Sequence, residues 1–189
     1  CGKCVVECPQ HAKLVSDQVS AIRMIIRTGR RVALSLAPSF IASFPEYSVS
    51  EMIFRLRHLG FDIIEETAIG AEIVSNFYRS YLEQTDKTVI SACCPVVVNL
   101  IEKYYPDLVD NLAPVVSPMI AHGYLLKEKY GSDTYVVFAG PCIAKIAEGA
   151  QQDSPIDSVI TFEQLKYWLI ELDDKQEQVV LPSNEQRAT

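Results

Sequence analysis

The sequence has no apolar run that approaches the ~18 residues needed to cross a bilayer, and no charged-then-apolar leader opens it. Basic residues are also scarce, with 17 Lys and Arg against 24 Asp and Glu, a net charge of -7. We therefore expect no membrane span and no nucleic-acid partner, since an acidic surface repels phosphate. Hydrophobic residues make up 49% of the 189 positions, which predicts a packed core of one medium or two small domains.

The two ends carry further expectations. The first residue is Cys1 rather than Met, which suggests a start inside a longer polypeptide. Residues 173–189 are polar and show little apolar periodicity, so we expect a frayed tail there. With no export signal we expect a cytoplasmic location, and for the cysteines we favour metal or cluster ligation over a disulfide framework.

Apolar strands alternate with amphipathic helices along the chain. This order predicts an α/β fold with a parallel sheet covered by helices. Helices are expected at residues 18–27, 48–59, 71–82, 95–105, 118–130, 142–148 and 161–172, and strands at residues 31–37, 61–65, 87–91 and 135–139. Ligands of such sheets lie beyond the carboxyl ends of the strands, so Ser39, Cys93, Cys94 and Cys142 are expected around one cleft.

The first cysteine group reads Cys1-Gly-Lys-Cys4-Val-Val-Glu-Cys8-Pro9. It matches the last three cysteines and the proline of the bacterial ferredoxin pattern C-x2-C-x2-C-x3-C-P. By that pattern Cys1 and Cys4 share one four-iron cluster and Cys8 serves a second. Half of a zinc site, or free thiols, is the alternative.

The second group is Ser91-Ala92-Cys93-Cys94-Pro95. Adjacent residues that leave a strand point in different directions, so one thiol can bind metal while its neighbour faces elsewhere. A helix that begins at Pro95 favours thiolate near its positive end. Two buried core cysteines are an equal alternative.

The third group is Gly140-Pro141-Cys142, followed by Lys145 and Glu148. On a helix Lys145 shares a face with Cys142, three residues before it. A cation there is a suitable partner for a metal-bound thiolate or an anionic ligand. Taken alone, this segment slightly favours the alternative, a solvated lysine beside a core cysteine.

Together these segments resemble the iron-only (FeFe) hydrogenases. That family's signatures Thr-Ser-Cys-Cys-Pro and Met-Pro-Cys-x-x-Lys-x-x-Glu are matched by Ser-Ala-Cys-Cys-Pro at 91–95 and Gly-Pro-Cys-x-x-Lys-x-x-Glu at 140–148. Leu-Ala-Pro-Ser at 36–39 and Ser-Pro-Met at 117–119 also match. The resemblance implies a two-lobed domain, with the end of a ferredoxin-type segment at 1–15, a first lobe at 16–115, the start of a second lobe at 116–172 and a tail at 173–189.

The resemblance also implies the roles of individual residues. The family's H-cluster joins a four-iron cubane to a two-iron unit with carbonyl and cyanide ligands. Cys94 and Cys142 match two cubane ligands, and Pro38 and Ser39 match the turn packed against the unit. Cys93 matches the proton-passing thiol, and Ser117 and Lys145 match residues that hydrogen-bond the cyanides. Ferredoxin or another electron carrier is the implied partner, and sensor domains are expected in the parent.

The sequence also departs from the family pattern. The signature with the other two cubane cysteines is absent, so we expect the two-iron unit in a full-length parent only. Gly140 stands where the family has methionine, and Tyr78, Tyr81 and Ala113 stand at the positions of two glutamates and a serine of the proton relay. These changes favour an atypical or sensory hydrogenase. A non-catalytic carrier related to cytosolic iron–sulfur assembly proteins is the alternative, and an α/β domain with fortuitous cysteines is a third reading.

Overall fold

The structure is a computed structural model. It describes residue 5, residues 7–10 and residues 12–180, with side chains described up to residue 173. The four strands of its sheet are β1 (Val32–Leu36), β2 (Ile63–Glu66), β3 (Tyr135–Gly140) and β4 (Ser158–Thr161). They lie in the order β2-β1-β3-β4, and every neighbouring pair is parallel. This confirms the α/β class with a parallel sheet.

Helices connect and cover these strands. They are α1 (Val19–Arg27), α2 (Phe40–Ser43), α3 (Val49–His58), α4 (Ala68–Glu83), α5 (Pro95–Tyr104), α6 (Pro118–Tyr130), α7 (Ala144–Gly149) and α8 (Phe162–Val180), with a 3-10 helix at Pro106–Asn111. None of the helices in the described part of the chain is long and apolar enough to cross a membrane.

Three of the four strands are buried along almost their whole length, and most of their side chains are apolar. All five residues of β1 and all four of β4 are buried, as are the last five of β3. Strand β2 at one edge is only half-buried. Continuous burial of this kind is characteristic of a parallel strand with helices on both sides.

Local signals predicted several helices correctly. Ser48 begins α3 with a capping box, in which its hydroxyl accepts from the Glu51 amide and the Glu51 carboxylate accepts from the Ser48 amide. Helix α6 runs from Pro118 to Tyr130 as predicted. Proline suits its first turn because that position needs no amide donor.

The strand predicted at residues 87–91 is wrong. This segment forms one parallel bridge, Ile90 to Leu112, and does not join the sheet. The 3-10 helix ends at Asn111 just before the partner residue, and Pro114 just after it lacks an amide hydrogen. The partner segment is therefore too short for a ladder.

Two differences occur near the carboxyl end. Strand β4 was not predicted, because four residues directly before a helix give too short a pattern to separate from it. Thr161 caps α8, since its hydroxyl accepts from the Gln164 amide at 3.2 Å. That helix extends to Val180, so residues 173–180 are helical where we expected a frayed tail.

The strand order places β1 between β2 and β3. The chain moves from β1 to β2 on one side, and later returns to place β3 on the other side of β1. The carboxyl ends of β1 and β3 are thus adjacent at a topological switch point, the usual ligand position in open parallel sheets. Strands from both of the expected lobes, 16–115 and 116–172, share this one sheet.

Candidate functional site

The Ala37-Pro38-Ser39 turn and the Pro141-Cys142 segment leave the sheet side by side. The Ala37 amide donates to the Ala139 carbonyl at 2.9 Å, so the two strand ends stay hydrogen-bonded to the last residue. Pro38 and Ser39 are exposed, and Cys142 is half-buried. The switch point therefore presents a turn and a thiol at one edge.

Gly140 lies where two side chains fill the space around it. A β-carbon at this position would stand 2.6 Å from Phe138 Cζ and 3.3 Å from Ala37 Cβ. The Phe138 ring is buried and belongs to the main core. The space beside Gly140 is therefore limited by a ring that projects from the residue two positions earlier.

Cys93 and Cys94 reach the same region from a separate segment. Cys94 is exposed and precedes Pro95 at the amino end of α5, as the sequence predicted. The Tyr78 hydroxyl accepts from the Ala92 amide at 2.9 Å and lies 3.8 Å from Cys93 Sγ. Burial raises the pKa of Tyr78 above its ordinary value. A phenol, held protonated, thus occupies the position assigned to a relay glutamate.

The other two positions that the family resemblance matches to the relay hold a tyrosine and an alanine. Tyr81 stacks on Phe77 with ring centroids 5.9 Å apart. Ala113 is buried, and its amide donates to the Ile90 carbonyl at 2.9 Å. Neither side chain carries a carboxylate.

Lys145 lies next to the Cys93 segment. Its ammonium donates to the Glu148 carboxylate at 2.5 Å and to the Cys93 carbonyl at 3.4 Å. The side chains of Lys145 and Glu148 are only 13% and 10% exposed, so the pair is largely shielded from water. The structure therefore brings a shielded cation to Cys93 across 52 residues of sequence.

Ser117 caps α6, accepting from the Ile120 amide at 3.5 Å, and it is buried. It lines a cavity of about 330 Å³ together with Ala92, Pro95 and Glu148. The cavity thus lies between the amino ends of α5 and α6 and the Lys145–Glu148 pair.

The described residues do not complete a four-iron site. Across residues 12–180, together with 5 and 7–10, no group of three or more His, Cys, Asp or Glu is placed to hold a metal ion, whereas a cubane takes four thiolates. Cys1 and Cys4 lie outside the described residues, and Cys8 is half-buried. The donor set present here does not by itself fit a whole cubane.

A buried polar chain beneath the site was missed by the sequence analysis. His122 of α6 is fully buried, with Nδ1 2.8 Å from Ser35 Oγ and Nε2 3.4 Å from Glu65 Oε2. Ser35 Oγ also lies 2.8 Å from Thr67 Oγ1. The one available signal was a histidine among the apolar residues of α6; its partners are 57 and 87 residues away.

Known proteins resemble this chain over most of its length. The family described as "iron only hydrogenase large subunit, C-terminal domain" matches residues 30–186. The periplasmic [Fe] hydrogenase large subunit of Nitratidesulfovibrio vulgaris is 26% identical over 182 residues, which cover 85% of the chain and 42% of the relative. The cytosolic Fe-S cluster assembly factor NAR1 of Yarrowia lipolytica is 31% identical over 107 residues, covering 52% and 22%.

A solved structure supports the fold. A variant of the [FeFe]-hydrogenase HydA1 from Chlamydomonas reinhardtii superposes with a TM-score of 0.65 at 23% identity, covering 92% of this chain and 51% of that one. The chain thus spans about half of the solved structure and less than half of the two relatives. Because the family match covers most of the chain, with both signatures inside it, the protein belongs to the iron-only hydrogenase large-subunit family.

Proposed function

We propose that this chain is the part of an FeFe-hydrogenase-like protein that supplies Cys94 and Cys142 to a cubane, and Cys93, Ser117 and Lys145 to the two-iron unit. The full protein then interconverts protons and hydrogen, and the chain alone is inactive because its thiolates are too few. Pro38 and Ser39 form the turn against which the unit packs.

One observation carries the proposal: the shielded Lys145 ammonium, 3.4 Å from the Cys93 carbonyl. A cubane needs no cation of this kind, whereas cyanide ligands gain a charge-assisted hydrogen bond from it. Lys145 is neutralised by Glu148 in this structure, which stabilises the buried charge until an anionic ligand arrives.

Within this class, an atypical or sensory hydrogenase is supported best. Proton transfer to Cys93 requires groups that gain and lose protons near the working pH. Tyr78 contacts the thiol directly but has a pKa raised above its ordinary value, which is about 10. A poorly connected thiol suits slow turnover and regulation better than rapid hydrogen production.

Further parts of the proposal concern cofactors and partners. Cys1, Cys4 and Cys8 contribute to ferredoxin-type four-iron clusters, and a ferredoxin or similar carrier exchanges electrons with them. Sensor domains in the parent remain a prediction. The cytoplasmic location also remains one, since a relative is named as periplasmic.

A non-catalytic iron–sulfur carrier is the second candidate. The likeness to the NAR1 assembly factor favours it, as does the altered relay. The carrier needs Cys94 and Cys142 but has no use for a cation at Cys93. The two candidates therefore differ in whether the protein retains a two-iron unit.

Infrared spectroscopy of the full-length protein separates them. After anaerobic cluster reconstitution and loading with a synthetic two-iron complex, we expect cyanide and carbonyl bands in the wild type and a loss of most of their intensity in Lys145→Ala. Lys166→Ala is the matched control, because Lys166 is exposed on α8. Cubane absorption without any cyanide bands in the wild type would establish the carrier instead.

A further inference from the structure

The buried His122 ties three elements together. It lies on α6, and its two ring nitrogens reach Ser35 on β1 and Glu65 on β2. Ser35 and Glu65 are register partners in the sheet. Helix α6 is thus attached to the two strands through one imidazole that is wholly removed from water.

The charge on Glu65 fixes the direction of these hydrogen bonds. Its Oε1 accepts from the Lys129 ammonium at 2.6 Å and from the Tyr130 hydroxyl at 2.5 Å, and these bonds hold the pKa of Glu65 below its ordinary value despite burial. An ionised Glu65 accepts from His122 Nε2–H, so Nδ1 is unprotonated and accepts from the Ser35 hydroxyl. Ser35 in turn accepts from Thr67.

A second proton on His122 would break this order. Nδ1–H would then point at Ser35 Oγ, where the Ser35 hydroxyl hydrogen now points at Nδ1. The Ser35 hydroxyl would have to rotate toward Thr67 Oγ1, whose own hydrogen already points at Ser35. Among the described residues, the charged groups that act on the imidazole are Glu65 and Lys129, while Ser35 and Thr67 contribute hydroxyl groups. Of these two, Glu65 favours the imidazolium and Lys129 disfavours it. The carboxylate of Glu65 is also already paired with the ammonium of Lys129.

Helix α6 is packed closely against α4 around His122, so His122 cannot move toward α4. A β-carbon on Gly70 of α4 would stand 2.2 Å from the Pro118 carbonyl oxygen and 2.7 Å from His122 Cβ. Helices α4 and α6 are therefore in backbone contact at this point. Ser117, which lines the cavity, is the cap of the same helix.

We propose that neutral His122 is a positioning residue that holds α6, and with it Ser117, against the sheet, and that acid loosens this attachment. The role of Ser117 rests on the proposed function; the attachment of α6 does not. The attachment of α6 to the sheet is thereby sensitive to pH, and the capping residue of the same helix lines the candidate site.

The sign of the effect follows from proton linkage. Burial lowers the pKa of His122, and the bond with Glu65 offsets this only in part. Below about pH 6.5 the unfolded chain binds a proton that the folded one refuses, so stability falls as the pH falls through this window. The unfolding constant then rises by up to about tenfold per pH unit, until the folded His122 also titrates.

Urea unfolding at pH 7.5 and pH 5.5, followed by Trp168 fluorescence, measures this effect. Wild type should show a several-fold larger unfolding constant at pH 5.5, and His122→Gln should lose most of that difference. His58→Gln is the matched control, because His58 is exposed and bonds only to the Phe54 carbonyl among the described partners. An equal pH dependence in His122→Gln and wild type would overturn the proposal.

Hydrogen exchange distinguishes a local loosening of α6 from a change in global stability alone. At pH 5.5, after correction for intrinsic rates, peptides of residues 117–126 should exchange several-fold faster than at pH 7.5 and with an opening free energy below that of global unfolding, while peptides of β3 should follow the unfolding constant measured in urea. Ser35→Ala provides a second variant that keeps the histidine, and it should loosen residues 117–126 already at pH 7.5. Exchange of residues 117–126 only at the free energy of global unfolding, or no acceleration in α6, would refute the positioning role while leaving the proposed function untouched.

Discussion

A packing test at the candidate site follows from Gly140 and Phe138. The substitution Gly140→Ala places a β-carbon 2.6 Å from Phe138 Cζ and 2.7 Å from Cε1, well inside van der Waals contact. Overpacking of this kind costs about 1–3 kcal/mol. Because φ is not positive at this position, alanine also removes about 0.4–1 kcal/mol of unfolded-chain entropy. The expected net loss is therefore about 0–2.6 kcal/mol.

Phe138→Leu should relieve the contact, because leucine lacks the outer ring carbons that the β-carbon would meet. In that background Gly140→Ala should be neutral or stabilising by about 0.4–1 kcal/mol. The coupling free energy of the double-mutant cycle should then be about 1–3 kcal/mol. Urea unfolding followed by Trp168 fluorescence measures all four proteins.

Gly29→Ala is the control. Gly29 has φ +75°, a β-carbon added to it would have no heavy atom within 4 Å, and it precedes β1 at the opposite end of the sheet. Its cost is therefore conformational and should add to that of Phe138→Leu within about 0.5 kcal/mol. If Gly140→Ala were equally additive with Phe138→Leu, the Phe138 ring would not be the group that limits the space beside Gly140.

Two other predictions can be checked directly. Ser48→Ala removes the capping box of α3 and should lower the free energy of unfolding by about 0.5–2 kcal/mol, whereas an unchanged urea midpoint would show that the cap is dispensable. In the full-length, artificially matured protein, Tyr78→Glu with Tyr81→Glu and Ala113→Ser should raise hydrogen evolution about 10²-fold, the worth of a positioned proton-transfer group; no gain with intact clusters would mean that Tyr78 does not limit turnover.

Short-range signals predicted much of the fold. Pro118 and Gly131 delimit α6, and Ser48 with Glu51 begins α3, because capping depends on residues within four positions of each other. The strand at residues 87–91 failed for the opposite reason. Its apolar residues fit a strand, but whether a strand joins a sheet depends on a partner that the local pattern does not reveal.

Only those residues of the candidate site that directly follow a strand could be placed from the sequence. Pro38, Ser39 and Cys142 lie together because parallel strands end at one edge. The approach of Lys145 to Cys93, the contact of Tyr78 with that thiol and the burial of His122 all join distant parts of the chain through side chains. Such contacts are fixed by the packing of α4, α6 and α7, which no spacing within one segment encodes.

The position of β1 has a consequence for synthesis. Val32 pairs with Tyr135, about a hundred residues later in the chain. At roughly 5–20 residues per second, a ribosome needs about 5–20 s to supply that partner. During this time the β3-facing edge of β1 has no β3 to pair with, although every residue of the strand is one that the folded protein buries. Contacts between distant segments also form slowly, so during synthesis this edge of β1 is the kind of unpaired strand edge that favours association with other chains.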